Sequence, residues 1–184
     1  MPDRRAPAAA IAAFACLFAL AASAAESDLG YRAFHNRNYC RILHFLQVLY
    51  RQPLGSKHRF LVADPGRRTG EYVQCLIAPD RTGALCEAAS GKWLQPAQPL
   101  VDGPRLATLG ALGFALDPGD GNYQLTRPIS AETDLRGVAE LYLQVFYDVY
   151  EAPANTDLVL TVPRGLRLPT IEDSADPDCL PAIS

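Results

Sequence analysis

The residues of this chain whose types could do chemistry are three histidines and five cysteines. His35, His44 and His58 do not stand at the short helical spacing with which two imidazoles share a metal ion. The chain also lacks the G-x-S-x-G turn that presents a nucleophilic serine. We therefore predict no metal ion, no cofactor and no catalytic residue, with the histidines at the surface or at helix ends.

The first 25 residues are typical of a cleavable signal peptide. Arg4 and Arg5 provide the positive start, and an apolar run follows from about Ala8 to Ala22. Small residues at 22–25 satisfy the small-x-small cleavage rule. The run of about 15 residues is shorter than the roughly 20 that span a bilayer. We expect export to the periplasm or secretion, with no membrane insertion after cleavage.

Composition narrows the class of partner. Removing Arg4, Arg5 and Asp3 from the 17 basic and 20 acidic residues leaves a mature chain of net charge −4. The chain has no basic stripe, which argues against nucleic acid and anionic membranes as partners. We predict a single domain at 26–163, followed by an irregular tail at 164–184.

Four cysteines remain after cleavage, and an even number in an exported domain predicts two disulfides with three connectivities. If Ala78 pairs with Gly83 across a short turn, Cys75 stands directly opposite Cys86. Cross-strand Cα atoms lie roughly 4.5–5.5 Å apart, within reach of a disulfide. We predict Cys75–Cys86 and, by elimination, Cys40–Cys179, with Cys40–Cys75 as the alternative.

Periodicity predicts two long helices that bracket short strands. Residues 31–50 and 131–150 carry broad apolar arcs, with His44 on the polar side of the first and Ser130 as the cap of the second. A short helix is predicted at 106–112, capped by Asp102. The predicted strands are 59–63, 71–77, 84–88, 122–127 and 158–162.

Short strands joined by tight turns form an antiparallel meander. Together with the helices they predict an α+β fold of two layers, with the meander packed against two long helices and one short helix. The turn at 117–122 lacks the ligand spacing of a calcium loop. Tyr147 and Tyr150 lie at the edge of the last apolar arc, where they are expected to pack around the core rather than mark a binding surface.

Residues 106–114 (LATLGALGF), Asn122-Tyr123 and the last helix with Val145-Phe146 resemble the YbjN-like domains. These domains share the layout of type III secretion chaperones, and the resemblance covers roughly residues 31–162. It implies a binding or chaperone-like role without catalysis. The export signal and the four cysteines depart from that pattern.

The resulting hypothesis is an exported, non-enzymatic module that binds another protein, such as a periplasmic chaperone or an immunity protein. A homodimer is the other arrangement that we consider. Two alternatives remain: an envelope hydrolase with a dispersed active site, and a protein that binds a small ligand between sheet and helix. A cleft that joins a histidine to a carboxylate would favour the hydrolase.

Overall fold

The computed structural model describes residues 8–66, 69–119, 121–164, 166 and 179, with side chains from residue 28 onward. Within these ranges the chain forms three α-helices and five β-strands. The helices are α1 (Ala8–Arg51), α2 (Gly103–Ala111) and α3 (Leu135–Gln144), and the strands are β1 (Phe60–Asp64), β2 (Val73–Ile77), β3 (Gly83–Ala88), β4 (Tyr123–Pro128) and β5 (Val159–Thr161).

The five strands form one antiparallel sheet in the order β4-β3-β2-β1-β5. β1 to β4 pair in chain order, and β5 returns to the free edge of β1. Leu61, Val73 and Cys86 point to the inner face of the sheet, where they are fully buried in the core shared with the helices. The predicted α+β architecture, an antiparallel meander with two long helices and a short one, is confirmed.

α1 and α3 supply the helical side of this core. Buried residues recur every three or four positions in both helices, as an apolar helical face requires. The hydroxyl of Tyr142 in α3 donates a hydrogen bond of 2.6 Å to the carbonyl of Leu61 in β1. The helix layer is thereby fixed to the sheet by a polar contact as well as by packing. The core stripes are Ile42, Leu43, Leu46 and Leu49 in α1, and Leu135, Val138, Ala139 and Tyr142 in α3.

α1 is longer than the predicted helix at 31–50. Its backbone is helical from Ala8, because residues 8–25 are rich in alanine and contain neither glycine nor proline. The predicted cleavage site lies inside this helical stretch, and cleavage remains a prediction. Among the described residues, no helix combines the length and the hydropathy that crossing a bilayer requires.

The start of the last helix differs from the prediction, since Ser130 does not cap it. A 3-10 turn at Glu132–Asp134 precedes α3. The Asp134 carboxylate accepts the backbone N–H groups of Ser130 and Ala131 at 2.7 and 3.0 Å. These two bonds lower the pKa of Asp134. The Asp134 side chain therefore stabilises the 3-10 turn from its third position by accepting two N–H groups that precede it, and it makes no side-chain cap bond to α3.

The far end of α3 continues as a π-helical segment, Val145–Val149. Val145, Phe146 and Val149 are buried, and the N–H of Tyr150 donates to the carbonyl of Val145 at 2.9 Å. The Tyr150 hydroxyl donates to the carbonyl of Ala89 at 2.9 Å, beyond the end of β3. Tyr150 therefore packs in the core as expected.

His44 was expected on a solvated face of α1, and that expectation is wrong, because only 5% of its surface is exposed. Cys40 lies one turn before His44 on the same side of the helix, and it is bonded to Cys179. The bond places Cys179 on this side of α1. His44 is therefore buried on a part of the helix surface that the apolar arc alone would leave in solvent.

The two disulfides join Cys75 to Cys86 and Cys40 to Cys179, the pairs that the hairpin register and elimination predicted. In the β2–β3 ladder Cys75 lies opposite Cys86, with Cα atoms 4.0 Å apart. Of the predicted tail, the structure describes Arg164, Leu166 and Cys179. Disulfides persist in oxidising compartments, so two of them indicate a location outside a reducing cytoplasm.

The two bridges should differ in what they contribute to stability. Their sequence separations are 11 residues for Cys75–Cys86 and 139 residues for Cys40–Cys179. The entropy of loop closure then gives about 3 and about 5 kcal/mol of stabilisation. We expect a double Cys→Ala variant of the long bridge to lose more of its free energy of unfolding in urea than one of the short bridge. Equal losses, or non-reduced peptide maps joining Cys40 to Cys75, would contradict this account.

Asn38 is the buried polar residue that connects α1 to the chain before β5. Its side-chain amide donates to the carbonyls of Phe34 and Thr156, at 3.1 and 2.9 Å. Its side-chain oxygen accepts the N–H of Leu158 at 2.9 Å. Only 1% of Asn38 is exposed, so these bonds have no competition from bulk water.

Replacing Asn38 with alanine should leave the carbonyl of Thr156 and the N–H of Leu158 buried without a partner. We expect a loss of about 3 kcal/mol in the free energy of unfolding, since each such group costs about 1–3 kcal/mol. Chemical denaturation measures the loss. Asn36→Ala is the matched control on the exposed side of the same helix, and an equal effect of the two substitutions would refute the anchoring role of Asn38.

Candidate functional site

The outer face of the sheet, which points away from the helices, carries an apolar row across its three central strands. Leu76 pairs with both Leu85 and Phe60 in the strand register. Leu76 and Leu85 keep 40% and 38% of their surface exposed. A solvated sheet face normally carries polar side chains, so this row is available to a partner.

A groove of about 520 Å³ runs beside the apolar row. Its floor is formed by Ala78 and Gly83, which face each other at the end of the β2–β3 hairpin, where the N–H of Ala78 donates to the carbonyl of Gly83 at 2.8 Å. A β-carbon at position 83 would approach the carbonyl oxygen of Arg127 to 3.1 Å. Two small residues between large neighbours therefore create the depression, and its walls include Leu76, Pro79, Leu85 and Pro128.

A carboxylate also points outward from the sheet, and it lies on the side of the leucines opposite the groove. Glu87 of β3 pairs with Gln74 of β2 and with Gln124 of β4. Both amide groups donate to it, Gln124 to Oε1 at 2.9 Å and Gln74 to Oε2. The two contacts hold the carboxylate in place on the outer face.

The charged residues at the outward strand positions are acidic, whereas Arg127, which also borders the groove, stands at an inward position of β4 opposite Ala84. Among the outward positions of the described strands, Asp64 and Glu87 are the charged residues, and none is lysine or arginine. The remaining outward residues are Phe60, Val62, Gln74, Leu76, Gly83, Leu85, Gln124, Thr126, Pro128, Val159 and Thr161.

A second candidate site lies between α1 and α3. Tyr31, His35 and Tyr39 follow one another at four-residue spacing along α1, and the rings of His35 and Tyr39 stack with centroids 4.5 Å apart. The Nε2 atom of His35 lies 2.8 Å from Oε1 of Glu140 in α3, and the hydroxyl of Tyr31 donates to Oε2 at 3.0 Å. Both carboxylate oxygens are thus engaged by α1.

This histidine–carboxylate pair borders a cleft of about 510 Å³ lined by His35, Asn36, Tyr39, Cys40 and Glu140. Burial, followed by the nearby charge of Glu140, raises the pKa of Tyr31 well above its usual range. Because Nε2 of His35 contacts Glu140, Nδ1 is the ring nitrogen that does not face this carboxylate. Among the described residues that line the cleft there is no serine or threonine, and Cys40 is in a disulfide, so they offer neither a hydroxyl of that kind nor a free thiol as a nucleophile.

The three histidines are not brought together. His35 borders the cleft, His44 is buried in α1, and His58 is exposed before β1. Within the described part of the chain, no three His, Cys, Asp or Glu residues are placed to hold a metal ion.

Of the predicted turn at 117–122, Asp117 accepts the N–H of Gly119 at 3.0 Å, which is an ordinary turn contact. Asp120 lies outside the described residues. Tyr147 is half-buried, with its ring centroid 5.4 Å from that of Tyr31.

Sequence reasoning missed both the outer apolar row and Glu140. The signal for the row was the uninterrupted apolar run Cys75-Leu76-Ile77, where a half-solvated strand would alternate. Glu140 carried no local signal, because its contact with His35 spans 105 residues and arises from the packing of two helices.

Comparison with known proteins adds no family to this picture: no family model, curated protein or solved structure matches the chain. The resemblance to the YbjN-like domains therefore remains a prediction.

Proposed function

We propose that this protein is an exported module that binds another protein through the outer face of its sheet. The observation that carries the proposal is the outward row of Phe60, Leu76 and Leu85, whose two leucines are exposed, beside a preformed apolar groove. Contiguous apolar surface on a soluble domain marks an interaction site. The rigid backbone of paired strands holds the row in place before a partner arrives, which lowers the entropic cost of binding.

The size of the face limits how much surface any partner can bury on it alone. Five strands spaced about 4.8 Å apart, with about five residues each at about 3.3 Å, give a face of about 400 Å². Two such faces would bury about 800 Å² in total, below the roughly 1,200 Å² of a stable interface. A segment of another protein that occupies the groove, with further contacts elsewhere, fits these dimensions.

The compartment narrows the biological role. Two disulfides suit an oxidising location, and the N-terminal segment with the features of a signal peptide supports the periplasm. A chaperone that shields an exposed segment and an immunity protein that blocks a toxin are both periplasmic roles for such a face. Neither requires a catalytic residue.

A photo-crosslinking residue at position 85 tests this proposal in the native cells. We expect an adduct with one other protein, because Leu85 borders the groove. Ala78→Trp should abolish the adduct by filling the floor. The control is the same crosslinker at Asp157, an exposed position beside α1. Adducts of equal yield from both positions, or an adduct with a second copy alone, would refute the proposal.

The cleft at His35 favours a second candidate function, in which the protein binds or hydrolyses a small molecule. A histidine held by a carboxylate is an arrangement suited to general acid–base chemistry, contributing about 10²–10⁴-fold to a rate. The cleft volume of about 510 Å³ is within the range of small-molecule sites. With His35 held by Glu140 in this cleft, attack by a water molecule that His35 deprotonates is the reaction that the pair supports.

Hydrolysis of nitrophenyl esters and phosphate esters by the purified chain tests this second candidate. If the cleft is an active site, His35→Gln should lower the rate by about 100-fold, because it removes the group that transfers the proton. His58→Gln is the control, since His58 is exposed outside the cleft. The absence of hydrolysis, or a rate that survives His35→Gln, would exclude a hydrolase that uses this pair.

A further inference from the structure

We infer that the segment bound on the outer face is extended, apolar and basic, with a lysine or arginine that pairs with Glu87. This inference rests on the proposed function, because it assigns a chemistry to the occupant of the same face. Three observations carry it: the way Glu87 is held, the charges of the face, and the spacing between Glu87 and the groove.

Glu87 is preorganised as an acceptor. The amides of Gln74 and Gln124 approach it from the strands on either side, one to each carboxylate oxygen. A carboxylate accepts about four hydrogen bonds, so about two acceptor positions remain. A guanidinium or ammonium group above the sheet would fill them with charge-assisted bonds, which are stronger than bonds between neutral groups.

The charges of the face select a cation and disfavour a second copy. The charged residues at its outward positions are Asp64 and Glu87, both acidic, among the strands that the structure describes. In a dimer formed through this face, the carboxylates of one copy would face those of the other, and no outward strand position would supply a basic side chain to pair with them. A basic segment would instead pair with Glu87 beside the apolar row, where exclusion of water strengthens the attraction.

The spacing of the outward residues along β3 predicts the sequence pattern of the bound segment. Gly83, Leu85 and Glu87 point outward at alternate positions, which lie about 7 Å apart. An extended segment lying along this strand presents its own alternate side chains at the same interval. One apolar side chain then enters the groove over Gly83, a second covers Leu85, and the basic side chain reaches Glu87. The expected pattern is apolar-x-apolar-x-basic, in either chain direction.

Panning a display library of random linear dodecapeptides against the full chain, expressed with its own N-terminus, tests the inference. We expect the wild type to enrich the apolar-x-apolar-x-basic pattern. Glu87→Gln removes the charge and keeps the shape, so it should retain the apolar preference and lose the basic one. Asp157→Asn, which removes an acidic charge outside the face, should change neither preference.

The affinity of an enriched peptide provides a second measurement. We expect the Kd for Glu87→Gln to be about tenfold weaker, which corresponds to about 1.4 kcal/mol. The difference should shrink at high salt, where the ion pair is screened. Ala78→Trp and Leu85→Gln, which alter the groove and the apolar row, are panned in parallel. Thermal unfolding of each variant shows whether its fold is intact, and a variant that does not fold is left out of the comparison.

The outcomes separate the two proposals. Enrichment of apolar peptides without a basic residue, or with an acidic one, would overturn the assignment to Glu87 and leave the binding face standing. Enrichment that survives every folded variant of Ala78→Trp and Leu85→Gln, or no enrichment at all, would overturn the binding face and the inference together.

Discussion

The pairing of Cys75 with Cys86 fixes the register on which both faces of the sheet depend. Side chains alternate between the faces of a strand, so a slip of one residue would exchange them. With Cys75 opposite Cys86, Leu76 meets Leu85, and Gln74 meets Glu87. The same covalent contact therefore sets the buried side of the hairpin, the apolar row and the position of the acidic group.

The helix layer depends on a second set of long-range contacts. Asn38 of α1 forms hydrogen bonds with the residues just before β5, and Tyr142 of α3 forms a hydrogen bond with β1. The disulfide from Cys40 to Cys179 joins α1 to a residue near the C-terminus. Glu140 adds a polar contact between α1 and α3 by engaging His35 and Tyr31. These contacts of Glu140 would stabilise the packing of α1 on α3 even if the cleft beside them bound nothing. The cleft is therefore the weaker of the two candidate sites.

The sequence predicted the elements that depend on local signals. The β2–β3 register followed from the turn residues and two cysteines, and the apolar arcs located α1 and α3. The errors arose where contacts between distant segments determine which residues are buried and how a helix begins. His44 is buried one turn from the bridge between Cys40 and Cys179, and the Asp134 side chain bonds the backbone before it because a 3-10 turn precedes α3.

The outer row escaped prediction for a related reason. In the run Cys75-Leu76-Ile77, periodicity shows three apolar residues but not that one of them points away from the helices. That distinction requires knowing that helices cover a single face of the sheet.

The floor of the groove and its two leucine walls all lie within residues 73–88, inside one hairpin with a covalent rung. Isolated two-stranded hairpins are marginally stable in water, and a cross-strand disulfide offsets part of that weakness. The surface that we propose for binding is thus built almost entirely within one cross-linked hairpin. In such a hairpin the outward residues can change without altering the core, because the inward residues of the same strands carry the packing.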